Sequence, residues 1–269
     1  MKIALLAFVL TVFTLCGSVH ADNDLEKLNQ EVVKLYQQGN YARATTMAKQ
    51  ALKKSKRAYG ANDLKVAASL NTLAELHRTQ GQYKEAKSLI QRALAIREKA
   101  LGPEHPDVAE SLNTLAGVYF AQKQYDQAEP LLQRALVIRE KALGPYHPDL
   151  ATSLNNQAGL YRARGQYDRA EPLYQRALAI DEAALGPHHP DVATALNNLA
   201  SVYKSQAKYE AAEPLQQRAL AIWEKTLGAN HLNVATALSN LADLYRKTQR
   251  EAEAEPLEKR AATIRAQKR

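Results

Sequence analysis

The stretch LGPEHPDV at residues 101–108 returns with few changes at 143–150, 185–192 and 227–234, each copy 42 residues after the last. A fixed period of this length predicts a repeat architecture, in which each supersecondary unit buries its apolar face against its neighbours. The stretch itself is typical of the boundary between two helices. Gly102 ends one helix, Pro103 prevents that helix from continuing, and Pro106 opens the next one.

Between the copies of this stretch, apolar residues follow a helical period. In one unit they fall at i, i+3, i+4 and i+7, as Leu112, Leu115, Ala116 and Tyr119. A second helical stripe runs from Ala128 to Ile138. The position between the two stripes favours a left-handed residue just past a helix end, and successive units carry there Gly81, Lys123, Gly165 and Ala207. Each unit is therefore predicted to be a pair of helices.

Alignment on the repeated Leu-Asn pair defines the domain organisation. The chain of 269 residues contains a degenerate repeat at 24–68, full repeats at 69–110, 111–152, 153–194 and 195–236, and a terminal capping repeat at 237–269. This predicts an all-α fold, an α-solenoid of about six stacked antiparallel helix pairs that occupies residues 22–269.

The first 21 residues are predicted to be a secretory signal peptide. Lys2 precedes an apolar run from Ile3 to Cys16, and small residues lead to a cleavage site after Ala21. The run is too short to span a bilayer. We therefore expect an exported protein, periplasmic or secreted, whose mature chain has no cysteine. Lipid attachment at Cys16 is disfavoured because the preceding residue, Leu15, is large.

The chain carries a formal net charge of +8. We expect its basic residues to be interleaved with acids along the repeats, except at a basic C-terminal tail of residues 259–269. Interleaved charge is typical of a solvated helix surface. Export argues against nucleic acid as a partner, and leaves an acidic protein segment or an anionic envelope surface.

A histidine recurs in each copy of the opening stretch, as His105, His147, His189 and His231. Packed helices lie about 8–10 Å apart, whereas zinc requires nitrogens at about 2 Å, so these histidines cannot share one metal ion. We expect them to be loop or cap residues. No metal and no cofactor is predicted.

The pattern resembles the tetratricopeptide repeat, through Leu112, Leu115, Ala116, Tyr119, Ala128, Ala135 and their equivalents. The 42-residue length and the LGPxHPDV wording look like the kinesin-light-chain type. This resemblance implies a right-handed superhelix whose first helices line a concave groove that binds peptides. Departures are local: Gln157 replaces an inward Leu, 227–234 lacks both prolines, and Glu251 replaces a Tyr.

On the face of the first helix opposite its apolar arc, a row of carboxamides stands out: Asn71, Asn113, Asn155 and Asn197, followed by Ser239. Asn is a mediocre helix former, and its side chain can pair with any peptide unit. The resemblance implies contact of such asparagines with the backbone of an extended ligand, and we include their neighbours Asn156 and Asn198. The alternative is that the row only sets the geometry between repeats.

Two further positions share this face. One reads Glu75, Gly117, Gly159, Ser201 and Asp243, and its glycines suggest either room for a ligand backbone or a harmless duplication. The other reads Arg78, Phe120, Arg162, Lys204 and Arg246. Four cations favour a ligand with carboxylates, although solvated-face residues would look similar.

The sequence thus predicts an exported, non-enzymatic protein–protein interaction module that binds an extended, acidic peptide segment in its groove. The alternative is a structural scaffold in the cell envelope that uses its convex surface or its basic tail on anionic polymer or lipid. There is no glycine-rich phosphate loop, no HExxH and no nucleophile flanked by a base. Oligomeric state and ligand identity do not follow from the sequence.

Overall fold

The computed structural model describes residues 19–267, and these residues form twelve α-helices. The helices are α1 Val19–Gln37, α2 Tyr41–Tyr59, α3 Leu64–Thr79, α4 Tyr83–Leu101, α5 Pro106–Ala121, α6 Tyr125–Leu143, α7 Pro148–Ala163, α8 Tyr167–Leu185, α9 Pro190–Ser205, α10 Tyr209–Leu227, α11 Leu232–Lys247 and α12 Glu251–Ala266. The predicted all-α solenoid of about six helix pairs is confirmed.

The folded pairs are offset from the aligned repeats. The alignment on Leu-Asn begins a unit at residue 111, whereas the corresponding first helix begins at Pro106. The predicted signal peptide, 1–21, lies outside the described residues except for its last three, where α1 begins. Within the described part of the chain, the helices are too short or too polar to cross a bilayer.

The chain divides into two compact units, Met1–Ala142 and Leu143–Arg269. In the first unit, α1 to α5 contribute to a core that contains Val32, Leu52, Leu70, Ile90 and Leu115. In the second unit, the cores include Leu196, Trp223, Leu238 and Leu241. A fully buried alanine lies near the start of each second helix, where a larger side chain would separate the helices: Ala44, Ala86, Ala128, Ala170, Ala212 and Ala254.

The histidines of the opening stretch cap the first helices, as predicted. The Nδ1 atom of His105 accepts a hydrogen bond from the backbone N–H of Asp107 at 3.2 Å, and the equivalent bonds recur at His147, His189 and His231. This side chain satisfies one of the backbone donors that a helix start leaves free. Pro106 stands at the first position of its helix, as expected.

The turn within each helix pair is left-handed in all four full repeats, including those without glycine. Gly81 and Gly165 have φ of 76° and 73°, and Lys123 and Ala207 have φ of 59° and 58°. A left-handed conformation costs a non-glycine residue about 1–2 kcal/mol. Packing of the helix pair therefore imposes the left-handed turn even where the residue is not glycine and the conformation is unfavourable for it.

Candidate peptide-binding site on the first helices

The predicted site residues lie on α3, α5, α7, α9 and α11, which are the first helices of their pairs. We call the arrangement of one first helix against the next a step, and we describe the α3–α5 step in the first unit and the α7–α9 and α9–α11 steps in the second. The carboxamides and the cations differ from step to step in their hydrogen-bond and ion-pair partners.

Asn71 is buried at the α3–α5 step, with only 5 % of its surface exposed. Its amide donates to a carboxylate oxygen of Glu110, and its Oδ1 lies 3.4 Å from Oγ of Ser111, which donates to it. The expectation that this position lies on an exposed face is wrong for Asn71. The reason is that α5 packs against this face of α3, so Asn71 joins two neighbouring first helices.

A buried ion pair completes this cluster. Nη2 of Arg97, on α4, lies 2.9 Å from Oε2 of Glu110, and Nη1 donates to Oγ of Ser111 at 2.8 Å. Burial raises the pKa of Glu110 to about 7, and the nearby Arg97 guanidinium opposes that rise. The α3–α5 step is therefore closed by a polar network that uses the first asparagine of the row.

Asn197 is also engaged between helices, at the α9–α11 step. Its Oδ1 accepts hydrogen bonds from Nε2 of Gln216 at 3.0 Å and from Nδ2 of Asn240 at 2.8 Å. Asn240 stands 43 residues after Asn197, and Thr114 contacts Asn71 at the same separation. Thus Asn71 and Asn197 set the geometry between repeats, which was the alternative interpretation of the row.

Asn155 differs from both, because its Oδ1 is buried and accepts no hydrogen bond from any residue that the structure describes. The residue is half-buried overall, as are Asn113, Asn156 and Asn198. Thr194, which stands where the first unit has Glu110, donates to the backbone oxygen of Pro190 at 3.2 Å. At the α7–α9 step the carboxamide is thus present without its interhelical partner.

Three cations of the second row already bind carboxylates of the chain. Arg78 forms an ion pair with Glu75 of its own helix. Nζ of Lys204 lies 2.6 Å from Asp243, on the next first helix. Arg246 binds two acids at 2.6 and 2.7 Å, Glu251 and Glu258. These pairs reduce the attraction that the same cations offer to the carboxylates of a ligand.

Arg162 has no carboxylate partner among the residues that the structure describes. Its Nη1 donates to Oγ of Ser201 at 3.3 Å, and it also forms a hydrogen bond with the hydroxyl of Tyr174, whose pKa is raised by burial. Its Nε is buried and has no partner among the described residues. Phe120, at the equivalent position in the first unit, packs its ring against Tyr125 at 5.5 Å between centroids.

Each of the two glycines of this face lies beside a polar side chain. A Cβ atom on Gly117 would lie 3.6 Å from Cδ of Arg78, and one on Gly159 would lie 3.5 Å from the hydroxyl of Tyr174. Both are ordinary van der Waals distances, so neither glycine is required by packing. We name the set Asn155, Gly159, Arg162 and Ser201 the α7–α9 site.

Two features of the molecule were not anticipated from the sequence. Tyr174 borders the α7–α9 site from α8, and the two preceding repeats carry the apolar Ile90 and Leu132 at this position, so only its departure from them could have pointed to it. The expectation that basic residues cluster only at the C-terminal tail is also wrong. Residues 32–62 contain seven Lys and Arg and no acid, a run that was visible in the sequence.

Comparison with known proteins identifies the class of this fold. The sequence profile of the tetratricopeptide repeat matches residues 34–99, 74–136, 107–183, 149–220 and 191–267, so the chain belongs to that family. A putative kinesin light chain from Podosopora anserina with nearly identical TPR-like repeats is 31 % identical, with a TM-score of 0.63, over 74 % of this chain and 94 % of that one.

A second solved structure, BtubC from P. vanneervenii, is 26 % identical, with a TM-score of 0.71, over 84 % of this chain and 91 % of that one. A Rap protein complexed with competence and sporulation factor is 19 % identical, with a TM-score of 0.65, over 94 % of this chain and 78 % of that one, which shows the fold alone. No curated protein matches the chain. The kinesin-light-chain type of repeat is thus shown, and this class of fold is typical of protein–protein interaction modules.

Groups of three or more histidine, cysteine, aspartate or glutamate side chains that could hold a metal ion do not occur among residues 19–267. The guanidinium of Arg162 belongs to the α7–α9 site, and the phenol of Tyr174 borders it. Their arrangement suits the binding of an anion by hydrogen bonds and charge.

Proposed function

We propose that this protein is an exported, non-enzymatic interaction module that binds an extended peptide at the α7–α9 site. The observation that carries the proposal is the unmet bonding capacity of this step. Among residues 19–267, Oδ1 of Asn155 and Nε of Arg162 are buried without hydrogen-bond partners, although most buried polar atoms in folded proteins have one. Nε of Arg97 at the α3–α5 step is in the same condition, so Oδ1 of Asn155 is the atom that distinguishes the two steps. A peptide can supply both missing partners, because its backbone N–H suits Asn155 and an acidic side chain suits Arg162.

We expect this site to require fewer acidic residues in its ligand than a row of four free cations would. Arg78, Lys204 and Arg246 are held by carboxylates of the chain, whereas the partners of Arg162 among residues 19–267 are hydroxyl groups. We therefore expect one essential Asp or Glu in the ligand, placed opposite Arg162. Gly159, which lies beside the hydroxyl of Tyr174 that binds Arg162, leaves space for the ligand backbone.

The scaffold alternative receives little support from the C-terminal residues. Lys259 pairs with Glu255 at 2.6 Å, and Arg260 pairs with Glu224 at 2.5 Å. Arg265 donates to Oγ of Ser239 at 2.9 Å. These cations are largely occupied within the fold, and the last two residues of the predicted tail, 268 and 269, lie outside the described range.

The test is binding of the purified protein to an array of acidic peptides, together with the same peptides in which Asp and Glu are replaced by Asn and Gln. We expect Arg162→Gln to weaken binding of the selected peptides by about tenfold or more, because it removes a charge-assisted hydrogen bond. Asn155→Ala should weaken binding by about fivefold, because it removes a neutral hydrogen bond.

Lys99→Gln is the matched control, since it removes one positive charge from the exposed surface of α4. It should leave the peptide affinity within about twofold of the unmodified protein. Equal binding of the selected peptides by the Arg162→Gln and unmodified proteins would overturn the assignment of the site. A preference for the Asn and Gln versions of the peptides would overturn the proposed ligand chemistry.

A further inference from the structure

The exposed face of α2 differs in charge from every other second helix. Its fully exposed positions carry only cations and small or uncharged residues: Ala42, Arg43, Thr46, Lys49, Gln50, Lys53, Arg57 and Ala58. The other second helices mix acids with bases; α8, for example, carries Asp168, Glu171 and Glu182 beside its two arginines. The face of α2 is therefore a basic surface rather than a neutral, solvated one.

Lys56 shows how the usual pairing is lost. In the later repeats, an arginine of one second helix binds a glutamate of the second helix before it, as in Arg134–Glu98 at 2.7 Å, Arg218–Glu182 at 2.5 Å and Arg260–Glu224 at 2.5 Å. Arg92 is the equivalent arginine on α4, and it keeps the accompanying bond to a loop carbonyl, that of Ala61 at 3.3 Å. The equivalent of the glutamate is Lys56, so Arg92 has a second cation where its counterparts have an anion.

The nearby carboxylates do not neutralise this surface. Asp24 of α1 binds Lys54, and Glu85 of α4 lines the same shallow depression as Lys49. We call the following residues the α2 cation surface, because they lie at the later part of α2 or beside it on α4 and have no carboxylate partner among residues 19–267: Lys53, Lys56, Arg57 and Arg92. The helix dipole favours cations in the last turn of α2, but it accounts neither for Lys53 nor for the loss of the acid that pairs with Arg92.

We propose that the α2 cation surface docks the protein on a lipid bilayer that contains anionic phospholipids. The phosphate groups of such lipids supply the counter-charge that the fold omits, and long Lys and Arg side chains can reach them from an exposed helix face. This interaction is separate from the proposed peptide site, which lies in the second unit.

Two observations favour a bilayer over a nucleic acid or an acidic peptide. Tyr59, at the end of α2, has one face of its ring occupied by Nζ of Lys65 at 4.2 Å from the centroid, so a base could not stack on that face. The exposed residues between the cations are short, and they present no large apolar side chain to anchor a peptide. A flat array of phosphate groups requires neither feature.

The experiment is co-sedimentation of the purified protein with vesicles of phosphatidylcholine containing about one third phosphatidylglycerol, compared with vesicles of phosphatidylcholine alone. Each cation near an anionic surface strengthens binding about fivefold, equivalent to about 1 kcal/mol. Lys56→Glu removes one cation and gives Arg92 its pairing acid, so it should weaken vesicle binding by about 25-fold. Lys53→Gln/Arg57→Gln should have a similar effect.

Lys225→Glu is the matched control, because it makes the same charge change at an exposed lysine near the end of α10. It should change vesicle binding by no more than about twofold, and Lys56→Glu should bind peptides at the α7–α9 site as the unmodified protein does. Circular dichroism should show the same helix content in all variants.

Three results would overturn the proposal. One is equal sedimentation of the unmodified protein with both kinds of vesicle. Another is unchanged binding of the Lys56→Glu and Lys53→Gln/Arg57→Gln variants to anionic vesicles. The third is binding of soluble polyphosphate, at the same phosphate concentration, with an affinity equal to that for vesicles, because the partner would then be a free polyanion and not a bilayer.

Discussion

The α3–α5 step and the α7–α9 step carry the same Leu-Asn motif in the same register, yet their carboxamides are in opposite states. Asn71 is enclosed by Glu110 and Ser111, whereas Oδ1 of Asn155 has no partner among the described residues. The difference arises 39 and 40 residues further along the chain, where the first unit has Glu110 and Ser111 and the second has Thr194 and Ala195.

The two steps also differ in the ion pairs that they form. Arg97 ion-pairs with Glu110 at the first step, and Arg78 of the same step is held by Glu75. At the second step Asp181 replaces Arg97, and the hydrogen-bond partners of Arg162 in the described part of the chain are hydroxyl groups. A step between two first helices thus becomes a candidate binding site when it lacks the residues that bond the row positions at another step. The asparagine of the row can be the same at both steps.

The largest effect should come from removing the acid that closes the first step. Glu110→Thr introduces the residue of the open step and leaves the buried guanidinium of Arg97 without a counter-charge. Breaking one side of a buried ion pair costs about 3–5 kcal/mol. We expect a loss of that size in the free energy of unfolding, measured by urea denaturation.

The double variant Arg97→Met/Glu110→Thr provides the control, because it removes both buried charges and retains apolar volume. It should recover most of the lost stability. If the double variant is as unstable as Glu110→Thr, the loss comes from packing and not from the unpaired charge.

Asp181 should make the second step sensitive to pH. Burial, followed by repulsion from Asp191, raises the pKa of Asp181 to about 7 from 3.8. Because the folded-state pKa exceeds that of the unfolded chain, the neutral acid stabilises the fold at low pH, and this contribution is lost as the pH rises through about 7. Asp181→Asn should therefore stabilise the protein at pH 8 by on the order of 3 kcal/mol and have little effect at pH 4.

Urea unfolding of both proteins across this pH range measures the effect. Glu210→Gln, which changes an exposed acid of α10, should leave the pH dependence as it is in the unmodified protein. A stability difference between Asp181→Asn and the unmodified protein that is the same at pH 4 and pH 8 would contradict the assignment of this titration to Asp181.

The helices, their caps and the repeat number could be predicted from the sequence, because each depends on residues close together in the chain. Pro106 and His105 lie within two residues of the helix start that they specify, and the period of 42 residues makes the same boundary visible several times. Local signals of this kind predict the folded structure correctly because the packing between helices repeats with the same period as the signals.

The state of the asparagine row could not be predicted in this way. A helical wheel divides a helix into one buried arc and one exposed arc, which suits a helix with neighbours on one side. A first helix of a solenoid also packs against the next first helix, so Asn71 is buried although it lies opposite the apolar arc. Its partner Glu110 stands 39 residues away, and only a register between repeats joins the two.

The smallest effects should distinguish the two glycines, Gly117 at the first step and Gly159 at the second. Glycine inside a helix is less stable than alanine by about 0.5–1 kcal/mol, and both added Cβ atoms would meet their neighbours at ordinary contact distances. Gly117→Ala and Gly159→Ala should each raise the free energy of unfolding by that amount. Only Gly159→Ala should weaken binding of the peptides selected on the array, because only its methyl group enters the space beside the hydroxyl of Tyr174, which binds Arg162. If Gly117→Ala weakens peptide binding equally, the closed step also contacts the ligand, and the division between the two steps does not govern function.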